Sequence, residues 1–355
     1  MSVLFRKAKN LVGLDIGSSA IKLVELKDAK GGGYRLVKSG LETLSPEAIV
    51  DGAIMDASLV VDTVNRLVST LNVRNPDFGT SVSGHSVIVK KITLPAMSPE
   101  ELGESIRWEA EQYVPFDIND VNLDYVVLES GAGDTMDVLL VAVKKDKIGD
   151  YTGVISQAGK NPLLVDVDSF ALQNAYEANY PIEAGRVVAL VNVGASVTNV
   201  NILSGPHTVF WRDLSFGGNQ YTDAIQKQLS LSFDQAESLK KGERAGDHSV
   251  QEILPILRSV TDDLAQELQK TFDFFQATTS TQKIDHLLLS GGSSRVVNFD
   301  TQLKERFGMP VEVMNPLRQI DITATSVSPE WLTENAPNLA VAVGLAIRHV
   351  GDEAA

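Results

Sequence analysis

Apolar positions along the chain switch repeatedly between the two-residue period of strands and the three-to-four-residue period of helices. Residues 11–27 and 34–42 read as strands, with a turn at Gly17-Ser18-Ser19 and a glycine run, Gly31-Gly32-Gly33, between them. Within 59–71, Val60, Val64, Leu67, Val68 and Leu71 share a helical face, and Asn75-Pro76 marks a loop. Residues 80–93 form two strand-like runs broken at Ser83-Gly84. From about 86 to 165 the order is strand, helix, strand, strand, helix, strand. Ser98 can cap the first of these helices, Pro99 occupies its first turn and Glu101 completes a capping box. Leu102, Ile106 and Tyr113 lie along one face, and Pro115 ends the helix. The strands 123–129 and 137–143 flank a hairpin loop at Gly131-Ala132-Gly133-Asp134. Farther on, Ile253, Leu257, Val260, Leu264, Leu268, Phe272 and Phe275 line a long helix, in which Pro255 belongs in the first turn or at a kink. Residues 338–347 form a helix of small apolar residues that lets a neighbouring helix come close.

Two turns of the same build sit about half a chain apart. Leu14-Asp15-Ile16-Gly17-Ser18-Ser19-Ala20-Ile21-Lys22-Leu23 and Val191-Asn192-Val193-Gly194-Ala195-Ser196-Val197-Thr198-Asn199-Val200 each read as strand, glycine turn, strand. Consecutive N–H groups in such a turn form a concave nest that suits phosphate oxygens. One such turn means little, but two suggest an internally duplicated protein that holds a polyphosphate from both sides. A third glycine element, Ser290-Gly291-Gly292-Ser293-Ser294-Arg295, follows the apolar strand 284–289 and precedes a helical pattern of Phe299, Leu303 and Phe307. This order would point helix N–H groups at a phosphate or a ribose hydroxyl. Nothing matches G-x-x-x-x-G-K-[ST], so a P-loop motor is excluded.

Composition narrows the class further. A chain of 355 residues with 43% hydrophobic and 22% charged residues has room for two or three well-filled domains. A net charge of −15 argues against broad contact with nucleic acid or anionic membrane. With no cysteine, disulfides and thiolate metal sites are excluded. The first ten residues are too short and polar for a signal peptide, and the longest apolar stretch, 339–347, falls below half of the roughly 20 residues that span a bilayer. The expectation is a soluble, cytoplasmic protein. His85, His207, His248, His286 and His349 show no ligand spacing, so no zinc or histidine chemistry is assigned.

Phosphate turn, phosphate turn and Gly-Gly-Ser-x-Arg, in that order, resemble the actin-like ATPase superfamily along the whole chain. The resemblance implies an α/β, actin-like ATPase fold with two duplicated halves around a nucleotide cleft. Actin itself lacks a compact α+β unit at 86–165, but such a unit is the SHS2-like subdomain IC of FtsA and the PilM family of type IV pilus proteins. Glu104-Ser105-Ile106-Arg107-Trp108-Glu109-Ala110-Glu111-Gln112-Tyr113-Val114-Pro115-Phe116 is similar to the PilM signature helix and its exit, and 13–26 is similar to the opening of that family. The expected division is 1–85 plus 166–183 as subdomain IA, 86–165 as IC, 184–218 plus 284–355 as IIA, and 219–283 as IIB.

The resemblance also implies site residues. Asp15 would hold Mg2+ through water beside ATP, with Gly17, Ser18 and Ser19 on its phosphates and Gly194, Ala195 and Ser196 opposite. Gly217, Gly218 and Asn219 match a glycine turn that touches the nucleotide. Glu237 and Lys240 match a helix that holds ribose and adenine, and Gly291, Gly292, Ser293 and Arg295 match the adenosine loop. Asp168 stands where a water-positioning residue opens the first connecting helix; it serves equally as an N-cap, and Asp166 competes with it. Lys22 could neutralise phosphate charge, but the alternation of Ile21-Lys22-Leu23 favours an outward strand residue. Asn192 replaces the usual aspartate and cannot act as an anionic ligand or base, so hydrolysis is expected to be slow or absent.

The implied partners are the N-terminal cytoplasmic tail of PilN and the pilus motor ATPases, with membrane contact only through partners and self-association left open. Two rivals stand beside this reading. An FtsA-like filament former would end in a basic amphipathic helix, whereas residues 348–355 are short and acidic. A small-molecule kinase of the same superfamily would need a base at a substrate hydroxyl, and only Asp168 offers one.

Overall fold

A computed structural model describes residues 10–130, 134–279 and 283–351. β1 (Val12–Ile16), β2 (Ala20–Asp28) and β3 (Tyr34–Thr43) form an antiparallel meander with a nearly unbroken apolar interior. A short hairpin, β4 (Ile49–Val50) and β5 (Ala53–Ile54), leads to α1 (Ala57–Thr70), where Asp56 caps the helix by accepting the Leu59 N–H at 2.9 Å. β6 (Asp77–Val82) then lies parallel to β1.

The chain next leaves this sheet. β7 (Val87–Pro95), α2 (Pro99–Glu111), β8 (Val121–Ser130) and β9 (Thr135–Lys144) make a separate unit, an antiparallel sheet ordered β7-β9-β8. Ser98 and Glu101 form the anticipated capping box, and Leu102, Ile106 and Ala110 bury the inner face of α2 against Ile92, Val138 and Leu140. Gly131, Ala132 and Gly133 of the expected hairpin loop lie outside the described residues. α3 (Lys145–Gln157) and β10 (Asn161–Val167) follow, and β10 pairs in parallel with β6 to complete a sheet ordered β10-β6-β1-β2-β3. Strand pairing thus puts β10, which the sequence reading grouped with the insert, in the first sheet; α3 packs against that sheet too. Apolar periodicity reports an element but not which sheet claims it. α4 (Asp168–Asn179) closes this half.

The second half repeats the plan. β11 (Val187–Val193), β12 (Thr198–Ser204) and β13 (His207–Leu214) form a meander, followed by α5 (Gly218–Leu229), α6 (Phe233–Lys240) and α7 (Val250–Thr278). Pro255 lies inside α7, in its second turn, where it removes one helical hydrogen bond. β14 (His286–Ser290), α8 (Phe299–Phe307), β15 (Val311–Val313), α9 (Pro329–Asn335) and α10 (Ala340–Ile347) complete the chain. The sheet order β13-β12-β11-β14-β15 matches the first sheet strand for strand, including which pairs run parallel.

The halves are joined by an exchange of helices. α10 packs on β1, β2 and β6 of the first half, and α4 on β11 and β12 of the second. The two helices touch at Gly344, where a Cβ would run into the Ala171 backbone carbonyl. Among the described residues, no helix is long and apolar enough to cross a membrane.

Candidate functional site

Between the halves lies a cleft of about 1020 Å³. Its floor is built from the two duplicated hairpins. In the first, the Gly17 N–H donates to the Ala20 carbonyl at 3.1 Å; in the second, Gly194 N–H donates to Val197 at 3.0 Å. The turns meet across the cleft, with Ser18 Oγ and Ser196 Oγ 2.9 Å apart. A Cβ on Gly17 would lie 2.8 Å from Lys22 Nζ, and one on Gly194 would lie 2.9 Å from the Val197 carbonyl oxygen. A side chain at Gly194 would therefore press on its own turn, and one at Gly17 would crowd the Lys22 ammonium.

The second turn is tied to its neighbours. Gly218 N–H donates to Gly194 O at 2.9 Å, and Asn219 N–H to Ala195 O at 2.8 Å, so the start of α5 is fastened to the turn. Asn219 Nδ2 also donates to Ser196 Oγ at 3.2 Å, and Ser293 Oγ to Gly194 O at 3.0 Å. Gly291 takes a positive φ of 82°, and a Cβ there would strike the Val193 carbonyl. Gly291–Arg295 differs from expectation in one respect. Gly292–Arg295 is a 3-10 turn and α8 begins only at Phe299, so no α-helix N-terminus follows the glycines directly.

Asp15, Gly17, Ser18, Ser19, Asp168, Gly194, Ala195, Ser196, Gly218, Asn219, Glu237, Lys240, Gly291, Gly292, Ser293 and Arg295 all line this one cleft. Gly217 does not. It sits behind the second turn, where a Cβ would lie 2.5 Å from Ala195 O. Asp168 accepts from Ser81 Oγ at 2.6 Å and makes no cap bond, since Val167 is the N-cap of α4. Asp166 is held at 2.8 Å by Arg348 and lies outside the cleft wall. Lys240 donates to Gly218 O at 3.1 Å and Thr222 Oγ1 at 2.9 Å and pairs with Glu237. Burial lowers the Lys240 pKa, and Glu237 opposes that shift.

Lys22, read from sequence as an outward strand residue, points into the cleft and pairs with Asp15 at 3.1 Å. Alternation separates the two faces of a strand but does not say whether the polar face meets bulk water or a cleft. Burial raises the Asp15 pKa; Lys22 opposes this and Asp168 adds to it. Asn192 sits in a polar chain: its Nδ2 donates to Asn199 Oδ1 at 2.9 Å, and its Oδ1 accepts from Ser290 Oγ at 3.3 Å. Asn199 Nδ2 in turn donates to Asp213 Oδ1 at 2.8 Å. Asp213 Oδ2 accepts the Gly84 N–H at 2.7 Å, and His85 Nε2 lies 2.9 Å from Ser215 Oγ, so the second half grips the root of the inserted unit.

A family model described as type IV pilus assembly protein PilM matches residues 13–350. Among solved structures, the chain is similar to one described as the PilM-PilN type IV pilus biogenesis complex, with 28% identity and a TM-score of 0.87, covering 97% of this chain and 100% of that one. It is similar in fold to the ethanolamine utilization protein EutJ from Carboxydothermus hydrogenoformans, with 15% identity, a TM-score of 0.58, and 96% and 89% of the two chains covered. The same holds for MreB5 of Spiroplasma citri bound to AMPPNP, with 13% identity, a TM-score of 0.50, and 95% and 94% covered. The fold is that of the actin-like ATPases.

Proposed function

The chain belongs to the type IV pilus assembly protein PilM family, and on that premise we propose that it is an ATP-binding scaffold of a type IV pilus machine. The meeting of the two glycine turns at Ser18 and Ser196 carries the nucleotide reading, because it brings a turn of the kind that suits phosphate oxygens from each half to one cleft. The residues suit ATP with Mg2+. The described residues contain no group of three His, Cys, Asp or Glu that could hold a metal alone. Mg2+ readily accepts one carboxylate plus phosphate oxygens and water, and Asp15 is the carboxylate at the first turn. When bound, the ion would neutralise phosphate charge. Glu237, Lys240 and the Gly291–Arg295 turn would hold the adenosine end. Asn192 leaves the second turn without a carboxylate, so the nucleotide sets the angle between the halves and biases partner binding, with little turnover.

The partner is the N-terminal cytoplasmic tail of PilN, docked on the inserted unit, with the pilus motor ATPases as further contacts at the inner face of the inner membrane. The likeness to a PilM-PilN complex supports this reading. The unit's three-stranded sheet has open edges at β7 and β8 that an extended peptide can join, and α2 offers a second surface with Trp108 70% exposed. Calorimetry with ATP and Mg2+ tests the site. Wild type is expected to bind and Gly17→Val to fail, since the new side chain would occupy phosphate space; unchanged binding in the variant would remove the first turn from the site.

A further inference from the structure

Lys147, in the first turn of α3, is a cation in an adverse place. It is only 7% exposed, yet it lines the cleft. Its ammonium donates to the Gly52 carbonyl, at the turn between β4 and β5, and to the Tyr151 hydroxyl at 3.2 Å. Both partners are neutral, the Tyr151 ring 4.3 Å from the ammonium adds a cation–π contact but no counter-charge, and no described carboxylate forms an ion pair with it. The N-terminal turn of a helix adds the positive end of the backbone dipole to this burden. Burial accordingly lowers the Lys147 pKa, and Asp168, Asp150 and Asp146 offset this only at longer range. Nor does the Gly52 carbonyl need the lysine, since the Tyr151 hydroxyl donates to it at 3.1 Å.

The surroundings identify the missing charge. Lys147 and Tyr151 line the same cleft as Gly17, Ser18, Ser19 and Asp168, on the side of the first half. Glu237, Lys240 and Arg295, at the other end of the ligand, belong to the second half. An anion reaching past Ser18 and Ser19 would supply the counter-charge that the fold withholds.

We propose that Lys147 reads the terminal phosphate of a nucleoside triphosphate, its ammonium exchanging the Gly52 carbonyl for phosphate oxygens. α3 begins at Lys145, directly after β9 ends at Lys144, and β9 is the middle strand of the inserted sheet. A pull on Lys147 is thus delivered to the partner-docking unit with no intervening loop. This inference rests on the nucleotide reading above and adds to it the group that separates triphosphate from diphosphate.

The test uses the full chain with Mg2+ and either ADP or AMP-PNP, followed by calorimetry and thermal melting. Wild type should favour AMP-PNP. Lys147→Met should weaken AMP-PNP by roughly ten- to a hundred-fold, the usual worth of a charge-assisted hydrogen bond, and leave ADP unchanged. Unliganded Lys147→Met should melt at or above the wild-type temperature, because it discards a desolvated charge. Lys145→Met, on the same turn but exposed, should keep the preference. An intact AMP-PNP preference in Lys147→Met would overturn the inference alone. So would a marked fall in its unliganded melting temperature, which would make the lysine structural. Wild type that responds to neither nucleotide would overturn the nucleotide reading and this inference together.

Discussion

At Asp213 one charge sets the orientation of a whole row of side chains. A carboxylate only accepts, so Asn199 must turn its nitrogen toward Asp213 and its oxygen toward Asn192, whose own oxygen then faces Ser290. Burial pushes Asp213 up to about 6, against the pull of the Asn199 and Gly84 donors. Its folded pKa lies above the unfolded value of 3.8, so the folded chain holds a proton that the unfolded chain has released. The stability this confers is complete below the unfolded pKa and is lost as pH rises through about 6. Asp213→Asn should flatten the melting-temperature profile across that window; profiles that run parallel would refute the assignment. Asn192→Asp is expected to raise ATP turnover from a wild-type rate well below the roughly 1–100 per second of kinases. The gain requires Asn199 to turn over, since the new carboxylate would otherwise face its oxygen. Phosphate release in the two proteins measures this, and equal rates would detach Asn192 from slow hydrolysis. The glycines and serines of both turns were legible in the sequence because backbone approach demands small residues at set spacing. Lys147 and Tyr151 were not, since both take their place from Gly52, far away in sequence, and Lys22 was misjudged because the cleft that its strand face meets is closed by segments of the other half.

Among the elements, α10 shows what pattern reading reaches. Its small residues announced a close approach, but nothing in the sequence named α4 and β1 as the surfaces approached. At Gly344 the obstacle is the Ala171 backbone, and at Gly13 it is the Ala342 carbonyl, so neither contact can yield by a side-chain rotation. Gly344→Ala should therefore cost about 1–3 kcal/mol as α10 is pushed off its seat. Gly153→Ala, on α3 with only the end of Gln157 within 4.0 Å, should instead be neutral or stabilise by about 0.5–1 kcal/mol. Urea unfolding of the pair checks both signs, and similar values would mean that α10 is free to shift. The capping box of α2 was readable because it is local. The membership of β10 in the first sheet was not, because parallel pairing with β6 depends on a chain reversal through the whole insert.

On the scale of the molecule, the duplication was visible in sequence because both halves kept the same turn, and the structure extends it to all ten strands of the two large sheets. The insert interrupts only the first copy. It enters on β7 and leaves on β9, paired strands whose roots are joined by the Lys144 N–H to Ser86 O bond at 3.1 Å. Replacing residues 87–143 with a short glycine-serine linker should therefore spare β10 and ATP binding while abolishing capture of the PilN tail. A pull-down that still recovers the tail from this variant, with ATP binding intact, would move the docking site off the insert. The same attachment has a mechanical meaning. A partner that tugs on the insert puts β7 and β9 under tension side by side, along their lengths, and does not peel one from the other. The load passes through Ser83-Gly84-His85 into β6, which is flanked on both sides by parallel neighbours β1 and β10. Drawing β6 out would require both ladders to slip together, so the unit proposed to dock the partner is anchored where the sheet best resists being pulled.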